Sequence, residues 1–239
     1  MATFVLIHGG CCGGSSWKNV KPLLERQNHT VLAPNLPGMG GDPTPLREVS
    51  LERWGRFVAD VVMRQEEPVI LVGHSRGGIV ISQAAEYASH RIEKLVYLAA
   101  MLVPNGSTQY EVSAQLPRDT SFLIFSPDQT EITVDPEQAK LLAFNTTPPE
   151  EATRAVADFC PEPAGSFAWP VRVTNDNFGR IPRIYIETLR DNAIPVELQR
   201  MMQATLPCQS VLTVDTDHFP MHSAPESLVA CLTSLARSV

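Results

Sequence analysis

The chain has 239 residues, 44% of them hydrophobic and 19% charged, with 19 Lys and Arg against 26 Asp and Glu for a formal net charge of -7. That length suits one α/β domain with room for a lid and buries roughly 70 to 75% of its unfolded surface without covalent staples. The acidic balance argues against a nucleic-acid partner or an anionic membrane and leaves small neutral or weakly anionic molecules as ligands.

Thr3 to His8 is a continuous apolar run that reads as a buried strand, and it ends in the flexible turn Gly9-Gly10-Cys11-Cys12-Gly13-Gly14. Ser16 is placed to cap a helix over 17–27, where Trp17, Val20, Leu23 and Leu24 recur at helical spacing. A second strand over 30–33 follows, then a Pro- and Gly-rich loop over 34–43 that cannot hold regular structure. Ser50 caps a helix over 51–65 that carries Leu51, Trp54, Val58 and Val62 on one face. After Pro68, Val69-Ile70-Leu71-Val72 is a strand buried on both faces, and 79–87 continues as a helix. Between them lies Gly73-His74-Ser75-Arg76-Gly77, a Gly-x-Ser-x-Gly turn. A strand that becomes a helix within two residues drives its corner residue toward φ > 0, where flanking Cβ atoms would collide, and Gly73 and Gly77 remove them. The turn holds the Ser75 hydroxyl outward beside the first free N–H groups of the new helix. A phosphate-binding or merely tight turn is the bland alternative, but neither dinucleotide-type glycine spacing nor a Gly-Lys-Ser/Thr ending is present.

Residues 94–100 read as another buried strand. Over 102–179 proline, Ser and Thr dominate, and the clearest helices run from Pro136 to Phe144 and from Pro149 to Phe159. Alternation resumes with a strand over 183–187, a helix opened by Pro195, a strand over 210–214 and a closing helix over 224–236. Six strands alternating with helices mean an α/β fold with a mostly parallel sheet covered on both faces, its ligands at the carboxyl ends of the strands. We therefore expect a core of residues 1–101 and 180–239 with a helical lid, residues 102–179, inserted after the fourth strand and arching over Ser75.

Serine is a poor nucleophile at neutral pH, so it requires a base and a group that orients the base. Of six histidines, His8 and His74 are expected to tie loops together, and His29 and His90 to lie solvated in polar turns. His218 follows the last strand and is the expected base, while His222, beyond Pro220, is expected to be a partly exposed loop or cap residue. Chain order places the acid between serine and histidine, which selects Asp191 in the turn after the fifth strand. Glu187 is still inside that strand, and Asp215 and Asp217 are too near His218 in sequence to reach its far nitrogen. The N–H groups of Gly10 and Arg76 would form the oxyanion hole, and the Arg76 side chain either binds a carboxylate beside the nucleophile or, as is more usual, turns away into a lid or surface ion pair.

The stretches 7–17, 73–78, 191–195 and 217–221 resemble, in order, the signatures of the α/β-hydrolase superfamily. More narrowly, they are similar to the branch of plant methylesterases, hydroxynitrile lyases and bacterial esterase relatives. The resemblance implies Ser75, Asp191 and His218 as catalytic triad and Gly10 and Arg76 as oxyanion hole. The lyases of that branch carry threonine where Gly9 stands and lysine where Phe219 stands, so both lyase-specific polar groups are missing. Arg76 replaces the Leu, Met or Gln more often found there.

The reading is a cofactor-free, metal-free serine esterase for a small aryl or methyl carboxylic ester. A hydroxynitrile-lyase-like or other cofactor-free lyase, or a hydrolase-like ligand-binding protein, is the alternative. Gly9 and Trp169 are candidate substrate contacts, and Phe125, Phe144, Phe159 and Phe167 either line the pocket or pack the lid. The five cysteines are an odd number without a C-x-x-C pair, which indicates neither a disulfide framework nor a zinc site. No run reaches membrane-spanning length and the start lacks a basic signal-peptide region, so a cytoplasmic protein is expected. A homodimer is left open.

Overall fold

The computed structural model describes residues 1–117 and 119–236. Its strands are β1 (Thr3–Ile7), β2 (Thr30–Leu32), β3 (Val69–His74), β4 (Ile92–Leu98), β5 (Leu123–Phe125), β6 (Glu131–Val134), β7 (Glu162–Pro163), β8 (Arg183–Thr188) and β9 (Ser210–Val214). The α-helices are α1 (Lys21–Glu25), α2 (Leu51–Met63), α3 (Gly77–Ala88), α4 (Gln109–Ser113), α5 (Pro136–Leu142), α6 (Pro149–Ala157), α7 (Val196–Thr205), α8 (Pro220–Ser223) and α9 (Pro225–Ala236).

The main sheet has the order β2-β1-β3-β4-β8-β9, and every pair in it is parallel. Because side chains alternate across a strand, its apolar runs feed two cores. Val5, Ile7, Val69, Leu71, Leu95, Tyr97 and Tyr185 pack with α2, α3 and α7. Phe4, Leu6, Ile70, Val72, Val96, Leu98, Ile184 and Ile186 pack on the other face with Trp17, Leu24 and α9. The strand order places β1 and β4 on either side of β3, so the turns after all three strands meet at one edge.

The long helix expected over 17–27 is instead a 3-10 turn, Gly14–Trp17, followed by the short α1. Ser16 does not cap it: the hydroxyl donates back to Gly13 O at 2.8 Å. Pro22 is the physical reason for the break, since its ring and missing N–H are tolerated only at a helix start. Ser50 does cap α2, accepting from Arg53 N–H at 3.1 Å. β4 stops two residues earlier than expected because Ala99 adopts φ 43°.

The insertion between β4 and β8 holds both expected helices as α5 and α6. It also holds α4 and a three-stranded antiparallel sheet in the order β5-β6-β7, so its architecture is mixed where helices alone were expected. The start of α4 was legible, because Thr108 and Glu111 form a reciprocal capping box.

Candidate active site

Ser75 stands at the end of β3 with φ 53°, one of few non-glycine residues in the left-handed region. A Cβ at Gly73 would lie 2.6 Å from Gly77 O, and one at Gly77 would lie 2.8 Å from His8 O. Both glycines are therefore required by backbone contacts, as expected. Gly78 is a third such position that the sequence reading left aside, its Cβ site being 2.4 Å from Met101 O. Ser75 N–H donates to Leu98 O (3.1 Å) and Ser75 O accepts from Met101 N–H (2.9 Å), which stitches the corner to the end of β4.

The loop after β9 brings His218 to this corner, its Nε2 2.9 Å from Ser75 Oγ. His218 Nδ1 stands 2.7 Å from Asp191 Oδ2, so the carboxylate holds the proton on Nδ1 and leaves the Nε2 lone pair toward the serine. Asp191 is fixed in turn: Oδ1 accepts from Ala193 N–H (2.8 Å) and Ile194 N–H (2.7 Å), and Oδ2 from Thr188 Oγ1 (3.0 Å). Gln199, absent from the sequence reading, reaches the same carboxylate from α7.

His74 Nε2 donates to His218 O at 2.7 Å, and burial followed by the neighbouring His218 lowers its pKa well below the usual imidazole range. His74 therefore acts as a neutral strut behind His218. His8 accepts Leu36 N–H at Nε2 (3.2 Å) and stands 2.9 Å from Gly9 O at Nδ1, a loop-tying role as expected. His29 departs from expectation: it accepts Ala2 N–H and packs edge-on against Phe4. His222 does too. It is 6% exposed within α8, and its Nδ1 lies 2.8 Å from Glu151 Oε1 on α6, because α6 of the insertion covers it. Glu187 pairs with Arg200 of α7. Asp217 accepts from Thr146 N–H and Thr147 Oγ1, tying the His218 loop to the insertion.

Among the described residues, the N–H groups of Gly10 and Arg76 have no hydrogen-bond acceptor, whereas those of Ser75 and Cys11 are engaged. Gly10, Ser75, Arg76 and His218 border one end of a cavity between the sheet edge and the insertion. Its walls are apolar, with Phe122, Leu123, Phe159, Phe167 and Phe219 among them; Cys11, Gln109 and Glu162 are polar lining residues that the sequence reading did not single out. Trp169 is outside this lining and packs edge-on against Trp54 at 5.2 Å. Gly9, the other candidate substrate contact, is also outside this lining and packs against the corner, its Cβ site 3.0 Å from Ser75 Cβ. Phe144 stacks on Phe219 at 4.2 Å, and Phe125 is half exposed.

The Arg76 side chain turns into an ion pair with the insertion: Nε is 2.8 Å from Glu162 Oε2, each side chain 2% exposed. The guanidinium also donates from Nη2 to Gly9 O (3.1 Å) and lies 4.1 Å over the Trp54 ring. Among the described residues no group of three or more His, Cys, Asp or Glu side chains is arranged to hold a metal ion, and no helix is long and apolar enough to cross a membrane.

Comparison with known proteins matches this architecture. The chain is 31% identical to methylesterase 7 of Arabidopsis thaliana, over 98% of this chain and 95% of that protein. It is 32% identical to salicylic acid-binding protein 2 of Nicotiana tabacum, over 98% and 96%. Of some chloroplastic Arabidopsis thaliana relatives the chain spans less, 64% of one and 56% of another. The crystal structure of a pyrethroid hydrolase from Sphingobium faniae superposes with a TM-score of 0.88 at 30% identity, covering 99% of this chain and 98% of that one. A six-stranded parallel sheet with a serine on the strand-to-helix corner agrees with the family model that matches residues 4–230, and the chain belongs to the alpha/beta hydrolase family.

Proposed function

We propose that the chain is a carboxylic ester hydrolase in which Ser75, His218 and Asp191 act as a catalytic triad through an acyl-enzyme. The observation that carries this reading is the continuous chain Asp191 Oδ2, His218 Nδ1, His218 Nε2, Ser75 Oγ, with links of 2.7 and 2.9 Å, opening on an apolar cavity. Relatives named methylesterase and pyrethroid hydrolase support it.

His218 takes the Ser75 proton as Oγ attacks the ester carbonyl and returns it to the departing alcohol; a water then repeats the sequence on the acyl-enzyme. Asp191 holds the imidazole and stabilises its positive form. The N–H groups of Gly10 and Arg76 receive the charge on the tetrahedral oxygen. Residues 102–179 serve as a lid that supplies Phe122, Phe159 and Phe167 to the cavity, which suits a small ester with an aryl or methyl part. We place it in a reducing, cytoplasmic setting on the odd number of cysteines and their lack of a C-x-x-C pair.

The lyase alternative needs a hydroxyl to hold the substrate alcohol and a cation for the departing cyanide. Gly9 has no hydroxyl, Phe219 has no charge, and the nearby cation Arg76 is already paired with Glu162. The test compares hydrolysis of 4-nitrophenyl and 1-naphthyl acetates with cyanide release from mandelonitrile, for the wild type and Ser75→Ala. Ester hydrolysis that Ser75→Ala abolishes, with a serine-reactive phosphonate found on Ser75, is the expected result. Cyanide release well above a blank with negligible ester hydrolysis would replace the esterase by the lyase.

A further inference from the structure

The peptide unit between Gly9 and Gly10 contributes a carbonyl on one side and, on the other, the Gly10 N–H that the esterase reading uses. In a planar trans peptide these two groups point in opposite directions, so whatever holds the carbonyl aims the N–H. Gly9 O is held twice. His8 Nδ1 lies 2.9 Å away and carries the ring proton, because Nε2 is occupied as the acceptor of Leu36 N–H. Arg76 Nη2 donates to the same oxygen at 3.1 Å.

The next peptide unit is held by the other member of the same ion pair. Cys11 N–H donates to Glu162 Oε2 at 3.1 Å, and a Cβ on Gly10 would stand 3.2 Å from each Glu162 oxygen. Glu162 is itself anchored by Ser166 Oγ (3.2 Å) and by the Arg76 ion pair. A carboxylate beside Gly10 would repel charge developing on the substrate oxygen unless a cation offset it, and Arg76 is that cation. Buried ion pairs contribute little net stability, so stability alone does not account for two ionised side chains at 2% exposure. A guanidinium on the carbonyl end also polarises the amide and strengthens the N–H as a donor.

We infer that the Arg76 side chain is a positioning residue for ester hydrolysis: seated on Glu162 and Trp54, its guanidinium grips the Gly9 carbonyl and thereby aims the Gly10 N–H into the oxyanion hole. Arg76 then serves the hole twice, by its own N–H and through Gly10. This rests on the esterase reading above.

The test uses Arg76→Met, Arg76→Lys and the double variant Arg76→Met/Glu162→Gln, with kcat and KM on 4-nitrophenyl butyrate. Two inhibitors accompany it: an aryl trifluoromethyl ketone, to which Ser75 adds as a tetrahedral oxyanion, and the matching methyl ketone as a neutral ground-state ligand. Removing an oxyanion donor outright costs about 10² to 10³ in kcat, so a misaimed one is expected to cost about 10- to 100-fold in the double variant, with KM within about threefold. The trifluoromethyl ketone should weaken by the same factor while the methyl ketone is unchanged. Arg76→Met alone should lose more, since it leaves Glu162 unpaired next to the hole. Arg76→Lys, which keeps the charge and cannot span both partners, should lose about tenfold, and it carries the test where the methionine variants fail to fold.

Wild-type kcat in the double variant, full rescue by lysine, or equal weakening of both ketones would overturn the inference alone. Wild-type hydrolysis that survives Ser75→Ala would overturn the esterase reading and this inference with it.

Discussion

Asp191→Asn is the most discriminating substitution because the surroundings dictate how the amide must sit. Asp191 Oδ1 accepts two buried backbone N–H groups, from Ala193 at 2.8 Å and Ile194 at 2.7 Å. Turning the amide so that its NH2 faces them would set donor against donor and lose both of these buried hydrogen bonds, at about 1 to 3 kcal/mol each. The oxygen therefore stays at the Oδ1 position and the NH2 takes the Oδ2 position, 2.7 Å from His218 Nδ1. Against a donor, His218 must present a bare Nδ1, which moves the ring proton to Nε2 and points it at Ser75. In that tautomer the imidazole cannot accept the serine proton. The expected loss in kcat is about 10⁴-fold, the scale found where an orienting aspartate becomes asparagine, or about 5.4 kcal/mol of barrier. Turnover of 4-nitrophenyl acetate measures the rate, and imidazole nitrogen NMR reads the tautomer directly. A loss under tenfold with the Nδ1–H tautomer retained would refute the assignment of Asp191.

The two histidines of the last loop should separate: His218→Ala is expected to lose several orders of magnitude in kcat, whereas His222→Ala keeps most turnover and lowers the melting temperature, since His222 holds Glu151 of α6. Comparable kcat losses in both would contradict their different placements. Gly73→Ala should cost about 3 kcal/mol or more, because its Cβ site meets Gly77 O at 2.6 Å and backbone cannot rotate away, as a urea midpoint would record. Stability should also fall on acidification. Burial, then the Arg76 guanidinium, lowers the His8 pKa from 6.5 to about 3 against the opposing pull of Gly9 O. The unfolded chain binds that proton near pH 6.5 and the folded chain only near pH 3, so the His8 contribution is lost as pH drops through this interval. Urea midpoints from pH 7.5 to 4.5 measure it, and His8→Gln should show a shallower slope than the wild type.

What the chain determines by local chemistry was open to reading from residues alone. The glycines around Ser75 announce a strand-to-helix corner because no side chain fits there, and the apolar strands announce a doubly covered sheet because their hydrophobic runs are continuous. Chain order and loop position then select Asp191 and His218, which the fold brings to 2.7 Å although 27 residues separate them. Local signals also misled where a second one competed: Ser16 looked like a cap, but Pro22 breaks the helix it would have opened. Thr108 and Glu111 carried a readable capping signal for α4 that proline and polar neighbours masked.

Other features were decided only in three dimensions, because they join segments far apart whose separate sequences say nothing of the meeting. Glu162 lies between two prolines and looks like a loop residue, yet the insertion folds it 151 positions back onto Cys11 N–H and against Arg76. His222, set beyond a proline, looked half exposed until α6 covered it with Glu151. A buried charge is stable only opposite its partner, and the pairing is set by how the insertion lies across the sheet edge rather than by either residue's own neighbours. The strand-to-helix corner at Ser75 could thus be read from five consecutive residues, whereas the polar wall beside it exists only in the folded chain.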